Sequence, residues 1–365
     1  MKNKRWLRSV AFILLLVTAL LGVFHCYSLP KNYDTKNMAT FDEQPKNVID
    51  GIFLGTSVVA QGWTPPIAWG DYGLSIFHLS TSVHPFGVAT DYIDYARKTQ
   101  DIKYVLIDLH GLRTDAIITS LRPAKVRAAY LNIPDMASRW AMLGTLMEYA
   151  EDVYEYYGKP KNNDDIVDLE DFSYYFPFLA FHSRWEDGLV KADYVTVKND
   201  YMGADSRKTV FETYDCTGLM KLWDYELDYE PDEFQKAQLQ RLFDYGDKNN
   251  IEMIFVNVPS FRNKDEQKEI ACLVDYCRQQ GYKTLDLASE EMAENMDLNL
   301  KEDFVNKGHL NSKGAAKVTR YICEFLIENG FYIDHKGDER YAHFDEIADK
   351  YYKFYTKGWD KAKKK

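Results

Sequence analysis

The stretch Tyr104-Val105-Leu106-Ile107-Asp108-Leu109 is the clearest buried strand in this 365-residue sequence. It is short and apolar, and it lacks the strict alternation of a strand that has one face in water. A run of this kind is typical of a parallel strand that is covered on both faces. We therefore predict a parallel sheet, with this segment as its third strand.

Four further runs have the same character, two before this segment and two after it in the chain. They are Asp50–Gly55, Leu74–Leu79, Glu252–Val258 and Lys283–Leu287. Helical periodicity occurs between or after them, in the segments 90–98, 232–247, 264–280 and 312–328. Strands and helices that alternate in this way predict an α/β fold: an open, five-stranded parallel sheet with helices on both faces.

The interval from about 123 to 230 breaks this alternation. It contains a strong helical pattern, Lys125–Tyr157, and then aromatic-rich sequence such as Phe172-Ser173-Tyr174-Tyr175-Phe176-Pro177-Phe178. We predict an insertion between the third and fourth strands that packs over the carboxyl edge of the sheet, where ligand sites of open α/β sheets form. A purely structural cap is the alternative.

The first 29 residues have the pattern of a membrane anchor. An apolar run, Val10–Phe24, is just long enough to cross a bilayer when Trp6 and Leu7 are added at its front. No small-x-small cleavage site follows, which favours an uncleaved signal anchor over a cleaved signal peptide. The basic residues before the run predict a single pass through the cell membrane, with a cytoplasmic N-terminus and the main domain outside.

The remaining chain divides by composition into a polar linker at 30–46, a main domain at 47–333 and a tail at 334–365. The tail has the pattern of one amphipathic helix with a basic end, which is either a solvated helix end or a contact with anionic lipid. The net charge of -11 argues against nucleic acid as a partner, because phosphate binding needs a basic surface.

Cysteines and cofactor motifs give no sign of a prosthetic group. Cys272 and Cys277 stand five residues apart on a helical pattern, which is poor geometry for a disulfide. None of the five cysteines has metal-ligand spacing, so we predict free cysteines that are buried outside the anchor. A Walker loop, a dinucleotide-binding glycine motif and a zinc-binding helix motif are absent, and we expect a reaction that needs no metal or cofactor.

Two sequence blocks carry candidate chemistry. In the first, Gly55-Thr56-Ser57, a serine follows the first predicted strand and a glycine lets the chain turn tightly. Backbone N–H groups after such a turn can face a developing oxyanion. The triplet alone is equally typical of a loop or of a helix N-cap.

The second block is the loop 303–311, Asp-Phe-Val-Asn-Lys-Gly-His-Leu-Asn, which leads into the helical segment at 312–328. His309 can face Ser57 if both lie at the same edge of the sheet. Serine is a poor nucleophile until a neighbouring base accepts its proton, and that base needs a partner to fix its tautomer. A structural role for His309, as a cap of the neighbouring helix, is the alternative.

Together the two blocks resemble the SGNH/GDSL hydrolase superfamily over roughly 47–330. The pattern His309-Leu310-Asn311-x-x-Gly314-Ala315 resembles the membrane-anchored, extracytoplasmic branch, which includes the D-alanine transfer protein of teichoic-acid modification and the alginate O-acetyltransferases. Phe181-His182-Ser183-Arg184-Trp185 is also similar to a feature of membrane-anchored members. The resemblance implies the SGNH fold, a flavodoxin-like sheet with a helical insertion between strands three and four.

The resemblance also implies roles for individual residues: Ser57 is the nucleophile and His309 is its base. The family usually has Asp three residues before the His; here Asn306 stands there, and its side-chain oxygen can still orient the imidazole. Asp303 is a candidate substitute if the loop folds back. The family's Gly-x-Asn block after the third strand is missing, and the sequence there is Asp108-Leu109-His110-Gly111.

Further candidates contact the oxyanion or the substrate. Thr81 follows the second strand, where the family has a glycine donor, and His110 is a candidate donor after the third strand. His182 and Arg184 in the insertion are candidates for binding an anionic or sugar substrate. A structural pair beside Trp185 is the alternative for these two residues.

The leading hypothesis is an extracytoplasmic serine acyl esterase or O-acyltransferase that acts through an acyl-enzyme. Its substrate would be a cell-envelope polysaccharide or a teichoic-acid-like polymer, with water or a sugar hydroxyl as the acceptor. The departures from the family pattern motivate an alternative, a non-catalytic SGNH-like binding or assembly protein of the cell envelope. A scaffold partner of a membrane acyltransferase is a third possibility.

Overall fold

A five-stranded, all-parallel sheet organises the chain in the computed structural model. The structure describes residues 2–27, 33–160, 167–168, 170–188, 191–194 and 198–363. The strands are β1 (Gly51–Gly55), β2 (Ile76–Ser80), β3 (Tyr104–Asp108), β4 (Glu252–Asn257) and β5 (Lys283–Asp286). Their spatial order is β2-β1-β3-β4-β5, and each lies within two residues of its predicted bounds. The predicted α/β class and the parallel sheet are confirmed.

Helices cover both faces of this sheet, which explains the continuous apolar runs of its strands. Every residue of β1, β2 and β3 is buried. Ile52 and Leu54 of β1 pack in one hydrophobic core, and Phe53 between them packs in the other. Side chains that alternate between two cores leave no position for a polar, solvent-facing residue.

The described α-helices are numbered in chain order. They are α1 (Lys2–Tyr27), α2 (Tyr33–Asp42), α3 (Ser57–Gly62), α4 (Pro65–Tyr72), α5 (Ala89–Arg97), α6 (Thr114–Ser120), α7 (Pro123–Leu131), α8 (Met136–Tyr157), α9 (Phe178–Phe181), α10 (Lys191–Tyr194), α11 (Glu233–Asn249), α12 (Lys264–Gln279), α13 (Glu290–Asn295), α14 (Ser312–Glu328) and α15 (Ala342–Ala362). The four helices predicted around the strands correspond to α5, α11, α12 and α14 within two residues at each end.

The single helix predicted over 125–157 is two helices, α7 and α8. Pro134 lies in the break between them, and a proline disfavours helical backbone at the residue before it. Asp135 then starts α8 as its N-cap, because its side chain accepts a hydrogen bond from the Ser138 N–H.

The polar linker predicted at 30–46 is partly incorrect. Residues 28–32 lie outside the described part of the chain, but 33–42 form helix α2. Met38 and Phe41 of this helix are buried in the core, and the Phe41 ring packs edge-on against Phe77 of β2 at 5.3 Å. Two apolar residues three positions apart share one helix face, which gives this short segment a core contact.

The C-terminal tail, predicted as one helix over 334–365, is also part of the folded core. Its helix α15 spans Ala342–Ala362, and residues 364–365 lie outside the described part. Phe344, Tyr351 and Trp359 are buried, and α15 packs against α4. The tail is therefore a structural element of the sheet domain rather than a solvated appendage.

Within the described residues, one helix is long and apolar enough to span a membrane. The candidate span covers the 20 residues Arg5–Phe24 of α1, and it includes the apolar run identified in the sequence. At 1.5 Å per residue its length is about 30 Å, the thickness of a bilayer's hydrocarbon layer. The orientation of the chain across a membrane stays a prediction.

Candidate functional site

The turn after β1 places Ser57 at the carboxyl edge of the sheet. A Cβ atom on Gly55 would lie 2.5 Å from the Asp108 Cβ and 2.6 Å from a Val59 methyl carbon, so the position accepts only glycine. The Thr56 hydroxyl donates a hydrogen bond of 3.2 Å to an Asp108 carboxylate oxygen. These contacts fix the turn against the end of β3, and Ser57 then opens α3 as a partly buried residue.

His309 lies on a short antiparallel ribbon formed by β6 (Phe304–Asn306) and β7 (His309–Leu310). Asn311 follows the ribbon as the N-cap of α14, and its side-chain oxygen accepts from the Lys313 and Gly314 N–H groups. Helix α3 packs against both β7 and α14. This packing brings His309, late in the sequence, next to the turn after β1 that carries Ser57.

Ser57, His309 and Asn306 form one hydrogen-bonded chain. The Ser57 Oγ lies 2.8 Å from His309 Nε2, and His309 Nδ1 lies 3.1 Å from Asn306 Oδ1. Asn306 Oδ1 also accepts from the Gly308 N–H at 2.8 Å, which fixes the orientation of the amide. An amide oxygen only accepts, so His309 Nδ1 carries the proton and Nε2 is free to accept the Ser57 hydroxyl. This tautomer is the one that a general base for serine requires.

Asp303, the other candidate third member, has different partners. Its carboxylate accepts from the Asn299 N–H at 2.7 Å and pairs with Lys317 Nζ at 2.9 Å. The side chain is buried by these contacts and has no hydrogen bond to His309 among the described residues. Asn306 therefore occupies the orienting position, and Asp303 stabilises the loop that carries it.

Burial and positive charge act together on the base. Burial first, then the charges of Arg262 and Arg207, lower the pKa of His309 to about 4, while Asp205 opposes them. The imidazole is consequently neutral, and able to accept a proton, at any pH above that value. Arg207 is itself paired with Asp205 through its Nε at 2.9 Å.

Arg262 differs from Arg207 because the described part of the chain offers it no ion pair. Its Nε is buried without a hydrogen-bond partner. Its guanidinium carbon lies 4.0 Å from the point where a Cβ atom on Gly308 would stand, so the cation faces the turn that precedes His309. Arg262 was not predicted as a site residue, since a lone arginine five residues after β4 carries no motif.

A second chain of hydrogen bonds is buried and is joined to the Thr56 turn through Asp108. His110 Nδ1 is 2.7 Å from Asp108 Oδ1, and His110 Nε2 is 2.8 Å from Ser260 Oγ. All three side chains are buried, and burial lowers the pKa of His110 although Asp108 opposes the shift. The predicted use of His110 as an oxyanion donor finds no support in this geometry, because both ring nitrogens already have partners.

The N–H and the hydroxyl of Thr81 also already have hydrogen-bond partners. Its backbone N–H donates to the Gly55 carbonyl at 3.2 Å, and its hydroxyl lies 3.2 Å from His84 Nδ1. The N–H that was predicted to face an oxyanion therefore continues the hydrogen bonding between β1 and β2. Ser260 was not among the residues predicted from the sequence; it lies three residues after β4, where it reaches His110.

His182 and Arg184 lie on a 3-10 helix, His182–Asp187, that packs against α1 and α9. His182 Nδ1 is 2.8 Å from the Leu179 carbonyl, and Arg184 pairs with the buried Asp193 at 2.6 Å. These contacts belong to the α1 side of the molecule, and no hydrogen bond that the structure describes links the two residues to Ser57. The structural alternative accounts for the Arg184–Asp193 ion pair.

The cysteines are free, as the sequence predicts, and all except Cys26 are buried. Within the described residues, no group of three or more His, Cys, Asp or Glu side chains is arranged to hold a metal ion.

Comparison with known proteins assigns no family to this chain. No protein-family model matches it, and no curated protein matches it. What the site can do is therefore judged from its own geometry.

Proposed function

We propose that the chain is a membrane-anchored serine acyl esterase or O-acyltransferase of the SGNH/GDSL type. The observation that carries the proposal is the 2.8 Å contact between Ser57 Oγ and His309 Nε2, two residues separated by 252 positions in the chain. A hydroxyl paired with a neutral imidazole, whose other nitrogen is bonded to an orienting group, is the arrangement of an activated serine.

The reaction follows from these roles. Ser57 Oγ attacks the ester carbonyl while His309 Nε2 takes its proton, and the tetrahedral intermediate expels an alcohol that receives the same proton. The resulting acyl-enzyme is attacked by an acceptor hydroxyl that His309 deprotonates, and Ser57 is released with its proton restored. Water as the acceptor gives an esterase, and a sugar or polyol hydroxyl gives a transferase.

The uncharged side chain of Asn306, which orients His309, affects the rate of proton transfer. Asn306 orients the imidazole but supplies no negative charge to the imidazolium that forms during the reaction. The charge of Arg262 disfavours that imidazolium further. We therefore expect slower proton transfer than in a site with an aspartate at this position.

Several features of the fold support this assignment. The nucleophile follows β1, the base precedes α14, and helices α7 to α10 between β3 and β4 lie within the proposed insertion at about 123–230. Helix α1 would anchor the domain to the outer face of the cell membrane, with a cytoplasmic N-terminus. A cell-envelope polysaccharide or teichoic-acid-like polymer would be the substrate in that location, and a membrane acyltransferase is a candidate donor of the acyl group.

A non-catalytic binding or assembly protein is the second candidate. Two observations favour it: the amide in place of a carboxylate at Asn306, and the engagement of the Thr81 N–H within the sheet. In this case the Ser57–His309 pair would be retained without turnover.

A serine-directed fluorophosphonate probe on the purified full-length chain separates the two candidates. We expect covalent labelling of the wild type and no labelling of Ser57→Ala. We expect the labelling rate of His309→Gln to be lower than that of the wild type by about 100-fold or more. Ser82→Ala is the matched control, because Ser82 is an exposed serine at the same sheet edge whose hydroxyl contacts Lys125. Absence of labelling in the wild type, or labelling that persists in Ser57→Ala, would overturn the enzymatic proposal.

A further inference from the structure

A group of large apolar side chains next to α1 is exposed to solvent instead of buried. They are Phe172, Tyr175, Phe176, Leu179 and Trp185, here called the aromatic face. Trp185 is 64% exposed, Phe172 60% and Phe176 52%, which are values far from those of core residues. Helix α9, of sequence Phe-Leu-Ala-Phe, has no buried side chain at all. An exposed apolar cluster of this kind marks an interaction site.

The aromatic face is continuous in space. The Phe172 ring stacks on Phe176 at 4.5 Å, and the 3-10 helix Phe172–Tyr174 packs against α9. Helix α9 in turn packs against the 3-10 helix that carries Trp185. The segment 172–185 contains no acidic residue, in a chain whose net charge is -11. Its single arginine, Arg184, is paired with Asp193.

The position of this face relative to α1 identifies its partner. The Phe178 ring packs edge-on against Phe24 at 4.8 Å, and Phe24 is the last residue of the candidate membrane span. The 3-10 helix with Trp185 and helix α10 also pack against α1. If α1 crosses a bilayer, the aromatic face therefore lies level with the boundary between hydrocarbon and headgroups. Tryptophan and tyrosine are the residues that favour this boundary.

We propose that the aromatic face inserts into the lipid interface where the C-terminal end of α1 leaves the bilayer. The domain would then be held at two places, by the span and by this face, which fixes its orientation above the membrane instead of leaving it free to rotate on a tether. A protein partner could cover the same surface, but only the bilayer is brought to it by the chain's own helix. The proposal depends on α1 as a membrane span and not on the acyl chemistry of Ser57.

Quenching of tryptophan emission by brominated lipid tests the insertion in the full-length chain. The chain is reconstituted into phosphatidylcholine vesicles with or without bromine on the acyl carbons nearest the headgroup. All chains carry Trp6→Phe and Trp140→Phe, because Trp6 lies within the span and Trp140, which is 42% exposed, stacks on Tyr175 of the aromatic face. The difference in emission between this chain and the same chain with Trp185→Phe isolates Trp185. Since Trp185 is exposed, its replacement by Phe leaves the fold intact.

We expect brominated lipid to lower the Trp185 emission about twofold or more, because bromine quenches on contact. The remaining tryptophans, Trp63, Trp69, Trp223 and Trp359, are buried and provide the internal control, since we expect their emission in the Trp6→Phe/Trp140→Phe/Trp185→Phe chain to be insensitive to bromine. Equal Trp185 emission in the two kinds of vesicle would overturn the proposal. Equal emission together with crosslinked dimers that disappear in Trp185→Phe would assign the face to a second copy of the chain instead.

Discussion

At the scale of single residues, the pH dependence of the proposed reaction depends on His309. A base must be neutral to accept a proton, so activity should persist above the His309 pKa of about 4 and fall as the pH drops through it. Arg262 is the charge that lowers this pKa most after burial. We predict that Arg262→Gln raises the pKa of His309 towards its ordinary value, and that the acid limb of the rate moves to higher pH.

The rate of fluorophosphonate labelling between pH 3 and pH 8 measures this shift in both chains. Lys307→Gln is the control, since it removes the same charge from an exposed position in the same turn. We expect its acid limb to coincide with that of the wild type. Identical limbs in wild type and Arg262→Gln would show that the guanidinium does not act on the base.

At the scale of elements, Asn311 joins the His309 ribbon to α14. Its oxygen caps the helix, and its amide nitrogen donates to the Glu302 carbonyl at 2.6 Å and to the Glu212 carbonyl at 3.0 Å. Asn311→Ala removes the cap and the donor to these two part-buried carbonyls, so we predict a loss of about 2–4 kcal/mol in the free energy of unfolding. Urea unfolding followed by near-ultraviolet circular dichroism measures the change.

Asn263 provides a matched control for that substitution. It is the N-cap of α12, accepting from the Glu266 N–H, and among the described residues its amide nitrogen donates only to the half-buried Glu266 side chain. Asn263→Ala should therefore cost about 1 kcal/mol, the value of a cap alone. Equal losses for the two variants would mean that the contacts of Asn311 to 302 and 212 contribute nothing.

At the scale of the whole molecule, the C-terminal helix should unfold together with the sheet. Phe344 of α15 is completely buried, and its ring packs edge-on against Trp69 of α4 at 5.2 Å. We predict that Phe344→Ala lowers the free energy of unfolding by about 3–5 kcal/mol in a single transition, because a large cavity opens in the shared core. Lys353→Ala on the exposed side of the same helix should change it by less than about 0.5 kcal/mol. An unchanged transition in Phe344→Ala would mean that α15 is a separate unit.

The amino-acid sequence by itself determined the α/β class, the five parallel strands and the helices α5, α11, α12 and α14. Burial on two faces requires apolar residues at consecutive positions, as in Tyr104–Asp108, and that requirement is visible within a few neighbouring residues. The Ser57–His309 contact was also predicted from the sequence, because a serine after the first strand and a histidine in the loop before α14 can meet at one edge of the sheet. The single helix predicted over 125–157 was an error of interpretation, because Pro134 is a local signal in the sequence for a break in that helix.

Only the tertiary structure decided which polar groups are partners. Asp303 pairs with Lys317, His110 pairs with Ser260, and the Arg262 Nε has no hydrogen-bond partner within the described residues, although each stands in or near a segment that the sequence had marked. The packing of α2 and α15 into the core was likewise visible only in the tertiary structure. The identity of a hydrogen-bond partner depends on which distant loops converge at the sheet edge, and this convergence follows from the packing of the whole chain. The burial of a strand, in contrast, can be predicted from the apolar residues of that segment alone.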